Sequence, residues 1–112
     1  MEKKPSSILT STGIWFDVLN PISSLIDLQD IASALSKLCR FGGHYRQFYS
    51  VAEHSILASE MVRKRYGNNI ELMRWALLHD ASEAYVVDIP RPAKRQLAEY
   101  VKIEDAIQRA VA

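Results

Sequence analysis

The 112-residue sequence contains a single cysteine, Cys39. One cysteine cannot close an intrachain disulfide, and without a CxxC pair or a Cys/His knuckle there is no zinc-finger ligand set. Cys39 reads as a small apolar residue of the interior. No apolar run approaches the ~20 residues needed to span a bilayer. The opening MEKKPSSILTSTG has two lysines but no apolar stretch behind them. It does not read as a secretory signal, so the cytoplasm is the expected compartment. Formal charge is nearly balanced at +1, and the longest cationic run, Arg63-Lys64-Arg65, reads as a solvated helix end. That leaves no basic stripe for nucleic acid and no electrostatic case for a membrane partner. Nothing repeats at a fixed period, and no segment is of low complexity.

What is present suits one soluble domain over residues 1–112: 48% hydrophobic and 24% charged residues are ordinary proportions for a globular chain. Residues 1–13 read as loosely structured. In GIWFDVLNP, residues 13–21, the apolar Ile14, Phe16 and Val18 alternate between Gly13 and Asn20-Pro21, which predicts a short hairpin or extended arm. From Asp27 the period becomes helical. Asp27 is the expected N-cap, Leu28, Ile31, Leu35 and Leu38 recur at helix spacing, and Gly42-Gly43 is the expected stop.

Ser50 followed by Glu53 forms a capping box, so a second helix should run from Ser50 to about Tyr66, before Gly67. A third is expected from about Asn69 to Tyr85, with Leu72, Trp75, Ala76, Leu78 and His79 on its apolar side. Pro90 and Pro92 interrupt the chain, and a fourth helix should begin near Pro92, since proline is tolerated in a first turn. Its stripe is Leu97, Tyr100, Val101, Ile107 and Val111. The class is all-α, with a small extended or hairpin N-terminal arm.

His54 falls early in the second helix, and His79 and Asp80 fall late in the third. A short connection favours antiparallel packing, which would bring all three together. Two imidazoles and a carboxylate suit a divalent first-row metal. Glu83, four residues after His79, would share its helix face, and Asp88 follows in the loop before Pro90. Taken singly, each has a plain reading: a satisfied histidine, a solvated glutamate, an aspartate capping the next helix. Together they place two of three histidines and three carboxylates within reach of one another.

The stretches YSVAEHSILASEMV and ALLHDASEAYVVDIPRPAKR resemble the HD-domain metal-dependent phosphohydrolase superfamily. More narrowly, they are similar to its 5′-deoxynucleotidase-like branch and phage and prophage relatives, which also carry patterns like FDVLNP and ALSKLCRFGGHYRQFYSVAEH. The likeness spans roughly residues 10–110. It implies an HD-domain helical bundle with His54, His79 and Asp80 as ligands of a divalent metal ion (Mn, Co, Mg, Fe or Zn). It implies that Glu83 positions or deprotonates water and that Asp88 protonates the leaving oxygen. It matches Arg40 to a phosphate-contacting arginine, Phe41 to an aromatic lining the nucleotide pocket, and Lys94 to a lysine near the site. His44 and Arg46, in GGHYR, would flank the pocket.

The family's fourth ligand is an aspartate on a later helix. After Asp88 the only aspartate here is Asp105, whose KIEDAIQ context matches an ordinary residue of helix four. The sequence thus looks C-terminally short, missing the family's final helices. The uncovered apolar faces would favour a homodimer or higher oligomer. The implied function is metal-dependent hydrolysis of a (deoxy)nucleotide phosphate ester. The alternative is a catalytically silent HD-fold module that binds a nucleotide or a partner protein.

Overall fold

The computed structural model describes residues 3–44 and 46–112. Strand β1 (Ser7–Leu9) pairs antiparallel with β2 (Trp15–Asp17), with Ile8 opposite Phe16. The expected hairpin forms, but the expectation of loose structure over residues 1–13 fails at β1. The stretch is too short to announce a strand by its own pattern; its order comes from the partner strand and from Asp30. The Asp30 carboxylate accepts from Ser11 Oγ, Thr12 N–H and Thr12 Oγ1, each at 2.9 Å. These bonds clamp the hairpin turn onto the first helix.

Helix α1 (Leu28–Lys37) starts where Asp27 accepts from the Gln29 amide. It stops at Lys37, short of the expected Gly42-Gly43. The chain turns extended because Leu38 and Arg40 are drawn into bonds with the segment before the next helix: Val51 N–H donates to Leu38 C=O and Arg40 N–H to Tyr49 C=O, both at 2.8 Å. Residues Arg40–Gly43 then form a 3-10 turn in which Phe41 and Gly42 both adopt left-handed conformations, with φ of 58° and 60°. A left-handed aromatic residue is uncommon and has to be held by its surroundings.

Helix α2 (Val51–Tyr66) has the predicted capping box, with Ser50 accepting from the Glu53 amide while the Glu53 carboxylate takes the Ser50 N–H. Gly67 ends it at φ 74°. Helix α3 (Ile70–Leu78) begins at the N-cap Asn69 and packs against α2. The helix expected to continue to Tyr85 does not. It breaks after Leu78, turns through residues 79–82 and resumes as the single turn α4 (Glu83–Val86). The expected fourth helix is likewise two pieces, α5 (Arg91–Lys94) and α6 (Ala98–Val111).

The core joins these pieces. Phe16 from the hairpin stacks on Tyr85 of α4 at a centroid distance of 4.2 Å, and Ile31, Leu35, Val51, Ala81 and Ile107 close around them. Truncating fully buried Phe16 to alanine should cost about 3–5 kcal/mol. Trp75, expected on the buried side of α3, is instead 69% exposed. Among the described residues, no helix is long and apolar enough to cross a membrane.

Candidate metal centre

Antiparallel pairing of α2 and α3 places the first turn of one beside the end of the other. His54 projects from the former. His79 and Asp80 lie just past the latter, in the turn rather than in a continuous helix. The imidazoles approach to 5.3 Å between centroids. Asp80 Oδ2 lies 3.1 Å from His79 Nε2 and 3.5 Å from His54 Nε2. One ligand atom from each of the three residues falls within 4.8 Å of the other two. All three are half-buried, so solvent reaches the centre from one side.

The local chemistry of His79 defines what this cluster can hold. Its Nδ1 lies 2.5 Å from the Ala76 carbonyl, which can only accept, so Nδ1 carries the proton. In the neutral ring Nε2 then presents a lone pair to a carboxylate oxygen at 3.1 Å. Two acceptors facing each other need a proton or a cation between them. A backbone carbonyl fixing the far nitrogen is also the arrangement by which proteins orient a ligating histidine. The pKa of His54 is lowered by burial, next by the Arg40 charge and also by His79, against the pull of Asp80 and Asp88. The net shift favours the neutral imidazole, the form that can ligate a metal ion. The donor set fits a divalent ion of the kind that accepts nitrogen and oxygen together.

An open cavity of about 700 Å³ extends from the cluster. The expected residues Arg40, Phe41, His44, Glu83, Asp88 and Lys94 line it with His54, His79 and Asp80; Arg46 does not. Arg46 is exposed two residues beyond His44, where the chain leaves the pocket for the stretch before α2. Arg40 Nε is buried and has no hydrogen-bond partner among the described residues, although the guanidinium packs over the Phe41 ring at 4.8 Å. A buried, unsatisfied cationic donor on a cavity wall is suited to an anion.

Glu83 is 6% exposed, and one of its carboxylate oxygens is buried without a partner. Burial, a hydrogen bond with Asp88 and the charges of Asp80, Asp88 and Glu104 push its pKa up to about 9. Lys94 reaches the cavity wall but is also paired, with Nζ at 3.1 Å and 3.3 Å from the Glu104 oxygens. Sequence reasoning missed Arg91, a third cation on this wall. Its only cue is position, one residue into the turn that Pro90 opens.

No protein-family model matches the chain. It is similar to the uncharacterized protein YfdR of Escherichia coli (strain K12), at 41% identity over 108 residues, covering 95% of this chain and 56% of that protein. It is also similar to an uncharacterized protein of Rhodobacter capsulatus, at 36% identity over 106 residues, covering 89% of this chain and 53% of that one. The chain spans about half the length of these curated relatives.

Proposed function

We propose that this chain is an HD-domain phosphohydrolase that uses a divalent metal ion to cleave a phosphate ester of a (deoxy)nucleotide. The observation that carries the reading is the His54–His79–Asp80 cluster, with the His79 lone pair directed at a carboxylate, in one cavity with Arg40, whose buried Nε has no hydrogen-bond partner among the described residues.

The metal, when bound, would supply Lewis-acid chemistry, acidifying a water and polarising a phosphoryl oxygen. The rest falls to the chain. Arg40 holds the phosphate oxygens with a planar fork that matches their geometry. Phe41 forms the apolar wall against which a base or sugar rests. Glu83 orients the attacking water toward phosphorus. As the new P–O bond forms and the ester P–O bond breaks, the water's proton passes to the hydrogen-bonded Glu83–Asp88 pair, and Asp88 donates the proton that the pair already shares to the departing sugar oxygen. Lys94 and Arg91 offset the charge that remains on the released phosphate.

The three-residue ligand set is what favours the second reading, a silent module that binds a nucleotide or a partner without turnover. One experiment separates the two. The protein is loaded with Mn²⁺ or Co²⁺ and presented with nucleoside mono- and triphosphates, and released phosphate and nucleoside are measured together with bound metal. Near-stoichiometric metal with phosphate release supports the hydrolase. No metal bound, even in excess, rejects it. Exposed Leu57 and Met61 on α2 and Trp75 on α3 support self-association as a homodimer or larger assembly, which sedimentation would detect.

A further inference from the structure

Helix α6 sends no side chain into the cavity apart from its indirect hold on Lys94, yet three of its polar residues grip the segments that carry the site. Tyr100, Glu104 and Gln108 recur every four residues and so form one stripe along the helix. Gln108 meets the break between α3 and α4. Its Nε2 donates to the Leu78 carbonyl at 2.9 Å and its Oε1 accepts from the Ser82 amide at 3.1 Å. Those two backbone groups bracket His79, Asp80 and Ala81. The break leaves the Leu78 carbonyl with a single turn bond, from the Ala81 amide at 3.1 Å, and the carboxamide adds a second donor to that carbonyl while it accepts from the Ser82 amide.

Glu104, one turn earlier, takes both contacts from Lys94 Nζ. Tyr100, one turn earlier again, donates its hydroxyl to the Val87 carbonyl at 2.5 Å. Val87 has φ 61° and ψ 173°, a region that a β-branched residue occupies only when held there. Its amide is bound to the Glu83 carbonyl at 2.9 Å, so the Tyr100 bond fixes the other side of the same residue. The turn at Val87 delivers Asp88 to the cavity wall. Burial, together with the neighbouring Glu104 charge, keeps the Tyr100 hydroxyl protonated and so available as a donor.

We infer that the Tyr100–Glu104–Gln108 stripe is a positioning scaffold with divided labour: Gln108 sets the His79–Asp80 ligand pair, and Tyr100 sets Asp88. None of the three lines the cavity. The inference rests on the hydrolase reading for what the positioned groups do, but not for the positioning itself.

The test titrates Mn²⁺ alone into the full metal-free chain, well below the melting temperature of each variant, and follows amide exchange and nucleotide turnover in parallel. Gln108→Leu should raise the Mn²⁺ Kd about 10- to 100-fold and speed exchange at the Ser82 amide. Tyr100→Phe should leave that Kd within about twofold, speed exchange at the Val87 amide and lower kcat about 10- to 100-fold with KM unchanged. If Gln108→Leu does not fold, Gln108→Glu, which keeps the acceptor for Ser82 and loses the donor to Leu78, is judged by the same Kd. Parent-like Mn²⁺ binding in the folded Gln108 variant overturns the inference. So does a parallel loss of metal and turnover in Tyr100→Phe, which would mark general loosening. A parent chain that binds Mn²⁺ without turning over any nucleotide rejects the hydrolase reading alone, and the Gln108 arm still decides. If the parent binds no Mn²⁺, unchanged Ser82 and Val87 exchange in the two variants rejects the scaffold.

Discussion

His79 Nε2 faces Asp80 Oδ2 across 3.1 Å while its Nδ1 is committed to the Ala76 carbonyl. The imidazole therefore cannot relieve the contact by exchanging tautomers. Asp80→Asn replaces the anion with an amide of the same shape. It should abolish Mn²⁺ binding in calorimetry while far-UV circular dichroism stays that of the parent. Retention of stoichiometric metal by this variant would remove Asp80 from the ligand set.

Glu83 should be a liability to the metal-free fold. Its folded pKa of about 9 lies above its ordinary value of 4.5. Between those values the folded chain holds a proton that the unfolded chain has released, so stability falls as pH rises across that window. Glu83→Gln removes the penalty. The variant's advantage in unfolding free energy should grow from about pH 4.5 and level off near pH 9, with a slope of at most ~1.4 kcal/mol per pH unit. Phosphate release should drop in the same variant. Denaturant titrations at four pH values would check the slope, and a constant difference would contradict it.

Arg40 has a buried Nε with no hydrogen-bond partner among the described residues. Arg40→Ala should raise KM for a nucleotide about 10- to 100-fold, the range of a lost charge-assisted hydrogen bond, without changing Mn²⁺ affinity. Loss of metal instead would place the arginine's role at the cluster rather than at the phosphate.

Trp75 stacks on His79 with ring centroids 6.2 Å apart and an interplanar angle of 26°. An ion held by His79 should quench or shift its emission. Co²⁺ titration should give a saturable fluorescence change in the parent and none in Trp75→Phe, in which Trp15 is the only remaining tryptophan. An equal change in both proteins would put the metal elsewhere.

The hairpin clamp is testable apart from any activity. Burial raises the pKa of Asp30, but hydrogen bonds from Thr10, Ser11 and Thr12 more than offset it, and the net shift is downward. The stabilisation is therefore present above the ordinary value of 3.8 and is lost as pH falls through the lower folded value. Asp30→Ala should cost about 2–4 kcal/mol at pH 7 and progressively less as pH is lowered below 3.8.

The elements whose limits were legible are those with local punctuation. Ser50, Glu53 and Gly67 bound α2, Asp27 opens α1 and Asn69 opens α3 through contacts within three residues. The convergence of His54, His79 and Asp80 was legible too, because antiparallel pairing follows from the short link between α2 and α3. The break at residues 79–82 was not. ALLHDASEAY contains no glycine or proline, and the partner that stabilises the break, Gln108, lies 26 and 30 residues further along. The early end of α1 has the same origin, since its cause lies at Tyr49 and Val51. The exposure of Trp75 could not be read from a period that says which residues share a face but not which face is covered.

The opposed directions of α2 and α3 have an electrical consequence. A helix concentrates partial positive charge at its start and partial negative charge at its finish. His79 and Asp80 sit at the finish of α3, where the backbone itself favours a cation, whereas the entry of α2, behind Arg40, favours an anion. Because His54 stands in the first turn of α2, the two helix ends act on one cluster with opposite sign, and mutating any single side chain would leave that opposition in place.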